Sequence, residues 1–312
     1  MLIAIVLAVL AGLARIALHS YEVVADDFDQ SPPLPLLQHP EQVGIEPLES
    51  VRFPGDNGTH LAAWYAPSKN RAAVILVHGT NTDRSSMVPE MKILSAAGFG
   101  VLAFDWPGHG GSEGSIRWST PERDALTAAI NWVAARQDVD PQRVGGLGFS
   151  MGAYLMAQVA ATDQRLRAVM LLAVPSDYTD LTHWQHRKWS VFSELPATLA
   201  LHSFWNPDEE PRPIDVIARI SPRALELIRG SNDQVVPDYM IQALYAAAGP
   251  PKSLWIVPGA NHGGYAAVAP VEYPARVVKF FSENLLQTPP TDTPSPPPTT
   301  QTSSQSIPGS RG

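Results

Sequence analysis

Short apolar runs alternate along the chain with longer stretches whose apolar positions repeat at helical spacing. The runs are rich in Val, Leu, Ile and Ala, which is typical of strands buried on both faces. The predicted strands are residues 50–53, 61–65, 72–77, 100–104, 144–147, 168–173, 224–228 and 253–257. The predicted helices are residues 87–97, 121–136, 151–162 and 275–286. This order predicts an α/β fold with one mostly parallel, eight-stranded sheet covered by helices on both faces.

One interval, residues 174–222 after the sixth predicted strand, is too long for a plain crossover. Long insertions inside compact domains are usually functional or disordered, and aromatic content argues against disorder. The aromatic residues of this interval include Trp184, Trp189, Phe204 and Trp205. The sequence therefore predicts a small lid. Its aromatic cluster is interpreted as packing within the lid, with a cage for the substrate as the alternative.

The two ends of the chain differ from the body in composition. Residues 1–20 form an apolar segment interrupted by Arg15, which indicates a membrane anchor, a signal segment or a buried or interfacial helix of the domain. Residues 21–46 are predicted to be an extended linker. In residues 287–312, 18 of 26 residues are Pro, Thr or Ser, which predicts a disordered tail. The folded domain is thus expected to cover residues 47–286.

Composition excludes several kinds of chemistry. The chain has 22 Lys and Arg against 30 Asp and Glu, a net charge of −8, and no long basic run, which argues against nucleic-acid binding. It has no cysteine, which excludes disulfides, thiol catalysis and cysteine-ligated zinc. The histidine spacings that are typical of zinc enzymes do not occur. No metal site is predicted.

The fifth predicted strand runs into Gly148-Phe149-Ser150-Met151-Gly152, and a predicted helix follows. The pattern G-x-S-x-G between a strand and a helix is typical of a sharp turn that exposes a nucleophilic serine. The two glycines avoid collisions between side chains at this turn. The helix that starts at Met151 points its N-terminus at the site and favours developing negative charge. The sequence thus predicts Ser150 as a nucleophile.

A serine nucleophile needs a base, and the base needs an orienting acid. Asp233 follows the seventh predicted strand and His262 the eighth, at the carboxyl ends where ligand chemistry gathers in α/β sheets. Asp177, after the sixth strand, is the rival acid, and an ordinary turn residue is the other interpretation of Asp233. His78 and His109 are interpreted as shaping nearby loops rather than transferring protons.

Four motifs together resemble those of α/β-hydrolase-fold serine hydrolases, in the branch of monoacylglycerol lipases, lysophospholipases and serine aminopeptidases. They are Val77-His78-Gly79-Thr80, Asp105-Trp-Pro-Gly108-His-Gly110-Gly-Ser112, the serine turn and Gly230…Asp233…Pro237. The matches span about residues 50–286, and the chain order of nucleophile, acid and base is that of this fold. The resemblance implies an α/β-hydrolase fold with Ser150 as nucleophile, Asp233 as acid and His262 as base.

The resemblance also implies an oxyanion hole formed by two backbone N–H groups. These are the N–H of Met151 and that of Thr80, with Asn81 as the alternative second donor. The glycine-rich loop at residues 108–113 lacks a dinucleotide fingerprint because Glu113 stands at the third glycine position. We expect this loop to border an acyl pocket instead.

The predicted function is hydrolysis of a small carboxylic ester through an acyl-enzyme, without a cofactor. Membrane association through residues 1–18 is a further expectation, whereas the oligomeric state and the side of the membrane are left open. Apolar lid surface above Ser150 would favour acyl or aryl substrates.

Three other functions stay open at this point. A peptidase of the aminopeptidase type would use the same triad and an acidic lid residue to hold the amino terminus of its substrate. The candidates are Glu194, Asp208, Glu209 and Glu210. An acyltransferase would pass the acyl group to another alcohol. A non-catalytic binding module is least favoured, because it would lack a member of the triad and all three are present.

Overall fold

Eight strands form one sheet in the computed structural model, which describes residues 1–26, 39–55, 58–187 and 191–287. In chain order they are β1 (Glu49–Pro54), β2 (His60–Ala66), β3 (Ala73–Val77), β4 (Gly100–Phe104), β5 (Val144–Phe149), β6 (Leu166–Leu172), β7 (Ala224–Gly230) and β8 (Lys252–Val257). Their spatial order is β1-β2-β4-β3-β5-β6-β7-β8. The pairs β1–β2 and β2–β4 are antiparallel, and the other neighbours are parallel. The predicted sheet is confirmed.

The helices fill the connections between these strands. They are α1 (Leu2–Asp26), α2 (Val88–Ala96), α3 (Thr120–Ala134), α4 (Met151–Ala160), α5 (Tyr178–Arg187), α6 (Val191–Phe204), α7 (Pro213–Val216), α8 (Asp238–Ala247), α9 (Tyr265–Val268) and α10 (Glu272–Leu285). Short 3₁₀ turns lie at Pro40–Gln42, Arg84–Met87, Pro207–Glu209 and Ile217–Ile220. No helix is predicted from the sequence between β7 and β8, yet α8 lies there. Its signal is the spacing of the buried residues Met240, Ile241 and Leu244.

The sheet has a hydrophobic layer on each face. Strand β3 is buried at all five positions, as expected for a central strand with helices on both sides. Ile75 and Val77 pack with buried residues of α3 and α4. Val74 and Leu76 pack on the opposite face with α2 and α10. This alternation explains why the strand is apolar throughout rather than at every second residue.

A buried hydrogen bond links α2 and α10 within the second layer. The Tyr273 hydroxyl donates to Glu90 Oε1 over 2.8 Å, and both residues are buried. Burial raises the pKa of Glu90 to about 7, although the Tyr273 hydrogen bond opposes this rise. The folded state binds the Glu90 proton more tightly than the unfolded chain does. Protonated Glu90 therefore contributes its full stabilisation of the folded state below pH 4.5, and this contribution is lost as pH rises through about 7.

We therefore expect Glu90→Gln to leave stability nearly unchanged at pH 4.5 and to raise it at pH 8, by on the order of 3 kcal/mol. Urea unfolding of both proteins at the two pH values measures this difference. Glu41→Gln, at a side chain that is 74% exposed, is the matched control and should shift neither value. An equal effect of Glu90→Gln at both pH values would contradict the assignment.

The N-terminal segment is a longer helix than the sequence predicts. Helix α1 continues to Asp26, so residues 21–26 are helical rather than part of an extended linker. Ser20 Oγ lies 2.7 Å from Ser193 Oγ of α6, and Val24 is buried in the core. These contacts hold the end of α1 against the domain. Residues 27–38, within the predicted linker, lie outside the described residues, as does the predicted tail beyond Gln287.

Within the described ranges, α1 is the one helix that is long and apolar enough to cross a membrane. A signal sequence near an N-terminus has the same features. Most of its side chains are exposed, including Ile3 at 76% and Leu7 at 61%. It is thus not the core helix of the domain.

The predicted lid, residues 174–222, contains α5, α6 and α7 and lies between β6 and β7. Trp205 at the end of α6 is buried, with its ring 5.2 Å from that of Tyr178 and 5.8 Å from that of Tyr154. Tyr154 belongs to α4, which begins directly after Ser150. The aromatic contacts therefore hold the lid on the helix that follows the predicted nucleophile.

Candidate active site

Ser150 occupies a strained turn between β5 and α4. Its backbone angles are φ 52° and ψ −117°, a region that residues with a side chain rarely adopt. A Cβ atom at Gly148 would lie 2.6 Å from the carbonyl oxygen of Gly152. One at Gly152 would lie 2.4 Å from the carbonyl oxygen of His78. Both glycines are required because the backbone passes too closely for any side chain.

Three side chains from separate loops meet at this turn. Ser150 Oγ lies 3.0 Å from His262 Nε2, and His262 Nδ1 lies 2.9 Å from Asp233 Oδ2. The carboxylate of Asp233 accepts the proton on Nδ1, so Nε2 is free to accept the proton of the serine hydroxyl. The three side chains form one hydrogen-bonded chain, which is the geometry that a nucleophile, a base and an orienting acid require.

The environment keeps Asp233 ionised. Its side chain is fully buried, and burial alone would raise the pKa of the carboxyl. The hydrogen bond from His262 and the backbone N–H groups of Val235 and Val236, at 2.8 and 2.9 Å from Oδ1, outweigh burial and lower the pKa of Asp233. A buried negative charge beside an imidazole stabilises the protonated form of that ring.

Two features of β7 bring Asp233 to the histidine. A Cβ atom at Gly230 would lie 2.2 Å from the carbonyl oxygen of Asn261, so only glycine lets β7 end beside the loop of His262. The buried Arg229 donates from Nη2 to the Asp233 carbonyl and from Nε to the Val236 carbonyl, each over 3.1 Å. The sequence analysis predicts no role for Arg229. The feature of the sequence that could have indicated this role is a charged residue at the end of an apolar strand, because a buried charge must find polar partners.

The loop of His78 passes directly against the nucleophile. A Cβ atom at Gly79 would lie 3.2 Å from Ser150 Cβ. His78 donates from Nδ1 to the Gly79 carbonyl over 2.8 Å and accepts at Nε2 from the Trp106 N–H over 3.3 Å. Burial lowers the pKa of His78 to about 4, so the ring is neutral at pH 7. His78 therefore holds this loop in place through its neutral ring.

The second histidine of this region is also neutral. Burial, with the nearby His78 ring adding to its effect, lowers the pKa of His109 to about 4. Its Nδ1 lies 3.2 Å from the Pro107 carbonyl oxygen, at the start of the glycine-rich loop. The contact stabilises that loop.

The glycine-rich loop at residues 108–113, which the sequence analysis expects beside an acyl pocket, lies around Asp105. It folds around the buried carboxylate of Asp105, which accepts hydrogen bonds from the N–H groups of Arg84 and Gly111, both over 2.7 Å. The Arg84 guanidinium pairs with the same carboxylate. Gly110 has φ 48°, and a Cβ atom there would collide with Asp105. No residue of 108–113 is among the described residues that line the cavity at Ser150, so a border of an acyl pocket at this loop stays a prediction.

A cavity of about 300 Å³ opens above Ser150. The lid provides most of its roof, but α1 also contributes, which the sequence analysis does not predict. The lining residues are Val23, Val24, Thr80, Phe149, Ser150, Tyr178, Leu181, Thr182, Gln185, His186, Leu201, Val235 and His262. Ser150, His262 and Thr80 are thus brought to one cavity.

The aromatic residues predicted for the pocket lie elsewhere. Trp184 packs beside Val236 in a small cluster at the base of the lid. The ring of Phe204 lies 6.1 Å from that of Tyr21 on α1, and Trp205 contacts α4 as described. Trp189 lies outside the described residues. Trp205 is buried, Trp184 is partly buried and Phe204 is exposed, and none of these three described side chains lines the cavity.

The rival acid and the acidic lid residues have other partners. Asp177 Oδ2 accepts from Arg212 over 2.8 Å, and its Oδ1 accepts from the N–H of Asp180 at the start of α5. The remaining acids pair as Glu194 with His183, Asp208 with Thr179, Glu209 with Asn206 and Glu210 with Arg123. None of these carboxylates lines the described cavity at Ser150. Across the described ranges, no group of three or more His, Asp or Glu side chains is placed to hold a metal ion.

Comparison with known proteins agrees with this architecture. Residues 72–208 match the family model of the alpha/beta hydrolase fold. The chain is 31% identical over 226 residues to the protein YfhR of Escherichia coli K12, which covers 69% of this chain and 73% of YfhR. It is also 32% identical over 215 residues to the protein Rv2307c of Mycobacterium tuberculosis H37Rv. That alignment covers 66% of this chain and 69% of Rv2307c.

A solved structure is similar as well. The Pyrococcus furiosus esterase Pf2001 superposes with a TM-score of 0.66 at 25% identity, over 79% of this chain and 96% of the esterase. The sheet order of this chain, its strained serine turn and these similarities lead to one conclusion. The chain belongs to the α/β-hydrolase fold family.

Proposed function

We propose that this protein is a serine hydrolase that cleaves carboxylic esters through an acyl-enzyme on Ser150. The observation that carries the proposal is the hydrogen-bond chain from Ser150 Oγ through His262 to Asp233, which starts at the floor of a cavity. The likeness to a protein named an esterase favours an ester substrate. The resemblance to monoacylglycerol lipases and lysophospholipases points the same way.

In the first step, Ser150 Oγ attacks the carbonyl carbon of the ester while its proton passes to His262 Nε2. Asp233 keeps the imidazole in the tautomer that can accept this proton, and its charge stabilises the imidazolium. The bond to the alcohol then breaks, and Nε2 returns the proton to the departing oxygen. Water repeats the sequence on the acyl-enzyme and releases the acid.

The negative oxygen of the tetrahedral intermediate needs donors that are in place before the reaction. The N–H of Met151 is the first of α4 and has no carbonyl partner within the helix. We assign the second donor to the backbone of Thr80, because Thr80 lines the cavity with Ser150 and Asn81 is not among the described lining residues. Each such donor contributes about 3–4 kcal/mol to stabilisation of the transition state.

The lining of the cavity favours an ester over a peptide with a free amino terminus. Of the described lining residues none is acidic, and valine, leucine and aromatic side chains provide much of the wall. An ammonium group would lose its hydration there without gaining a counter-charge. An acyl group has no such penalty.

Membrane association through residues 1–18 is part of the proposal. The support is the length and composition of α1, together with the exposure of residues 3–12 along the whole helix surface. Exposed apolar side chains over several helical turns are stabilised by a hydrocarbon surrounding rather than by water.

A fluorophosphonate probe tests for an activated serine. We expect the wild-type protein to be labelled at Ser150, as mapped by mass spectrometry, and the label to be absent from Ser150→Ala. Wild-type protein that has not been treated with the probe should hydrolyse p-nitrophenyl esters and leave aminoacyl anilides intact. Labelling with turnover of the anilides alone would favour a peptidase, and a protein that neither labels nor turns over any ester would contradict the proposal.

A further inference from the structure

A second cavity, of about 500 Å³, lies between α1 and the lid. It is lined by Ile16, His19, Ser20, Val23, Gln185, His186, Ser193, Gln234 and Val235. Val23, Gln185, His186 and Val235 also line the cavity at Ser150, so the two spaces adjoin at these four side chains. Together they lead from the nucleophile to a space walled on one side by α1.

Four polar side chains of this second cavity are hydrogen-bonded within its wall. Ser193 Oγ lies 2.7 Å from Ser20 Oγ and 3.2 Å from His186 Nδ1, which links α6 to both α1 and α5. Gln185 donates from Nε2 to the Val235 carbonyl over 3.1 Å. These bonded groups leave mainly carbon on their part of the wall, and apolar pockets of this size accommodate small hydrophobic groups.

The outer surfaces beside this cavity are apolar too. On α6, Phe192, Leu195 and Leu199 are 48%, 56% and 58% exposed, and their spacing places them on one face. On α1, Ile16 and Val23 are 40% and 44% exposed. Apolar side chains therefore continue from the cavity walls to the outside of both helices, which favours the entry of a hydrocarbon here.

We propose that the N-terminal helix α1 is a wall of the substrate site, and that the acyl chain of the ester lies in the cavity between α1 and the lid. This inference rests on the proposed function, since the ester carbonyl must sit at Ser150. The chain then runs past Val23 at the junction and toward Ile16 at the far side. Selectivity for the length of the acyl chain thus depends on α1, which lies outside the sheet and its catalytic loops.

The test compares kcat/KM for p-nitrophenyl esters from acetate to dodecanoate, with the full-length protein in phosphatidylcholine vesicles. For the wild type we expect a rise of about fourfold per methylene that enters the cavity. Val23→Trp fills the junction, so the ratio of dodecanoate to acetate should fall by at least about tenfold. Ile16→Trp should lower kcat/KM for the longest esters alone. Both residues are partly exposed, so neither change removes buried packing.

Val9→Trp is the matched control, because Val9 is 55% exposed and lies on α1 outside both cavities. It should keep the wild-type profile. Fluorophosphonate labelling counts the active sites of every variant. Equal chain-length profiles in the wild type and both cavity variants, or a wild-type profile that does not rise, would overturn the role of α1 while leaving the ester hydrolase intact. Absence of labelling and of acetate turnover in the wild type would overturn the proposed function, and this inference with it.

Discussion

Replacing Ser150 with alanine is expected to lower kcat for ester hydrolysis by about six orders of magnitude. The change removes the oxygen that forms the acyl-enzyme and leaves His262 without a proton to accept. The backbone donors at Met151 and Thr80 remain, so some acceleration over the reaction in water should persist. Steady-state and long-incubation assays with a short-chain p-nitrophenyl ester measure the loss.

The control for this substitution is Ser95→Ala, at a serine of α2 whose hydroxyl bonds to the Lys92 carbonyl at the surface. Its activity should equal that of the wild type. Circular dichroism and thermal unfolding should show that both variants are folded. If the Ser150 variant keeps more than a few per cent of the wild-type rate, the nucleophile lies elsewhere.

The second large effect is expected from Asp233→Asn, which should lower kcat by about four orders of magnitude. Asparagine fits the same space, and its carbonyl oxygen can still accept from Val235 and Val236. Its amide nitrogen then faces His262 Nδ1, which favours the tautomer with the proton on Nε2. That ring cannot take the proton of Ser150, and the charge that stabilises the imidazolium is gone.

Asp177→Asn is the matched control, because Asp177 is the other carboxylate that the sequence offers for this role. It pairs with Arg212, whose side chain is 40% exposed, and losing that pair should change kcat by less than about fivefold. Measuring kcat of the wild type across the acidic pH range extends the test. The lowered pKa of Asp233 keeps its carboxylate ionised at pH values where an ordinary carboxyl is protonated. If Asp177→Asn loses more activity than Asp233→Asn, then Asp177 and not Asp233 is the acid that orients His262.

The sheet could be predicted well because its signal is local. Strand β3 is apolar at every position, and polar or glycine-containing segments flank it. Most of the neighbouring strands are also short apolar runs. Helix α8 escapes prediction because its buried stripe of Met240, Ile241 and Leu244 is short. The continuation of α1 past residue 20 escapes for another reason. Residues 21–26 are helical where they pack on α6, and such a contact has no local signal.

The geometry of the candidate site follows from topology more than from any one motif. Strands β5, β7 and β8 are parallel members of the same sheet, so the loops at their carboxyl ends must lie at one edge. That rule places Ser150, Asp233 and His262 near each other before any coordinates are known. The role of Arg229 is different, since a charged residue in a strand reveals neither its burial nor the two carbonyl groups that it binds.

The aromatic residues of the lid show where composition stops being informative. Trp184, Phe204 and Trp205 contact residues of other elements, although Phe204 stays exposed. The sequence says that such side chains seek apolar contact, but not which surface they meet. The cavity lining comes instead from other residues, including Val23 and Val24 on a helix more than 120 positions before Ser150.

Short-range patterns in the sequence are sufficient to predict the α/β sheet, the sharp serine turn and the three side chains at the carboxyl edge of the sheet. These patterns are apolar runs, glycines at the serine turn, and polar residues at strand ends. Three further contacts are visible in the folded chain alone: α1 packs on the lid, Arg229 binds the loop of Asp233, and Asp177 pairs with Arg212. Such contacts join distant segments, and their free energy depends on the shape of both surfaces, which no single segment of the chain encodes.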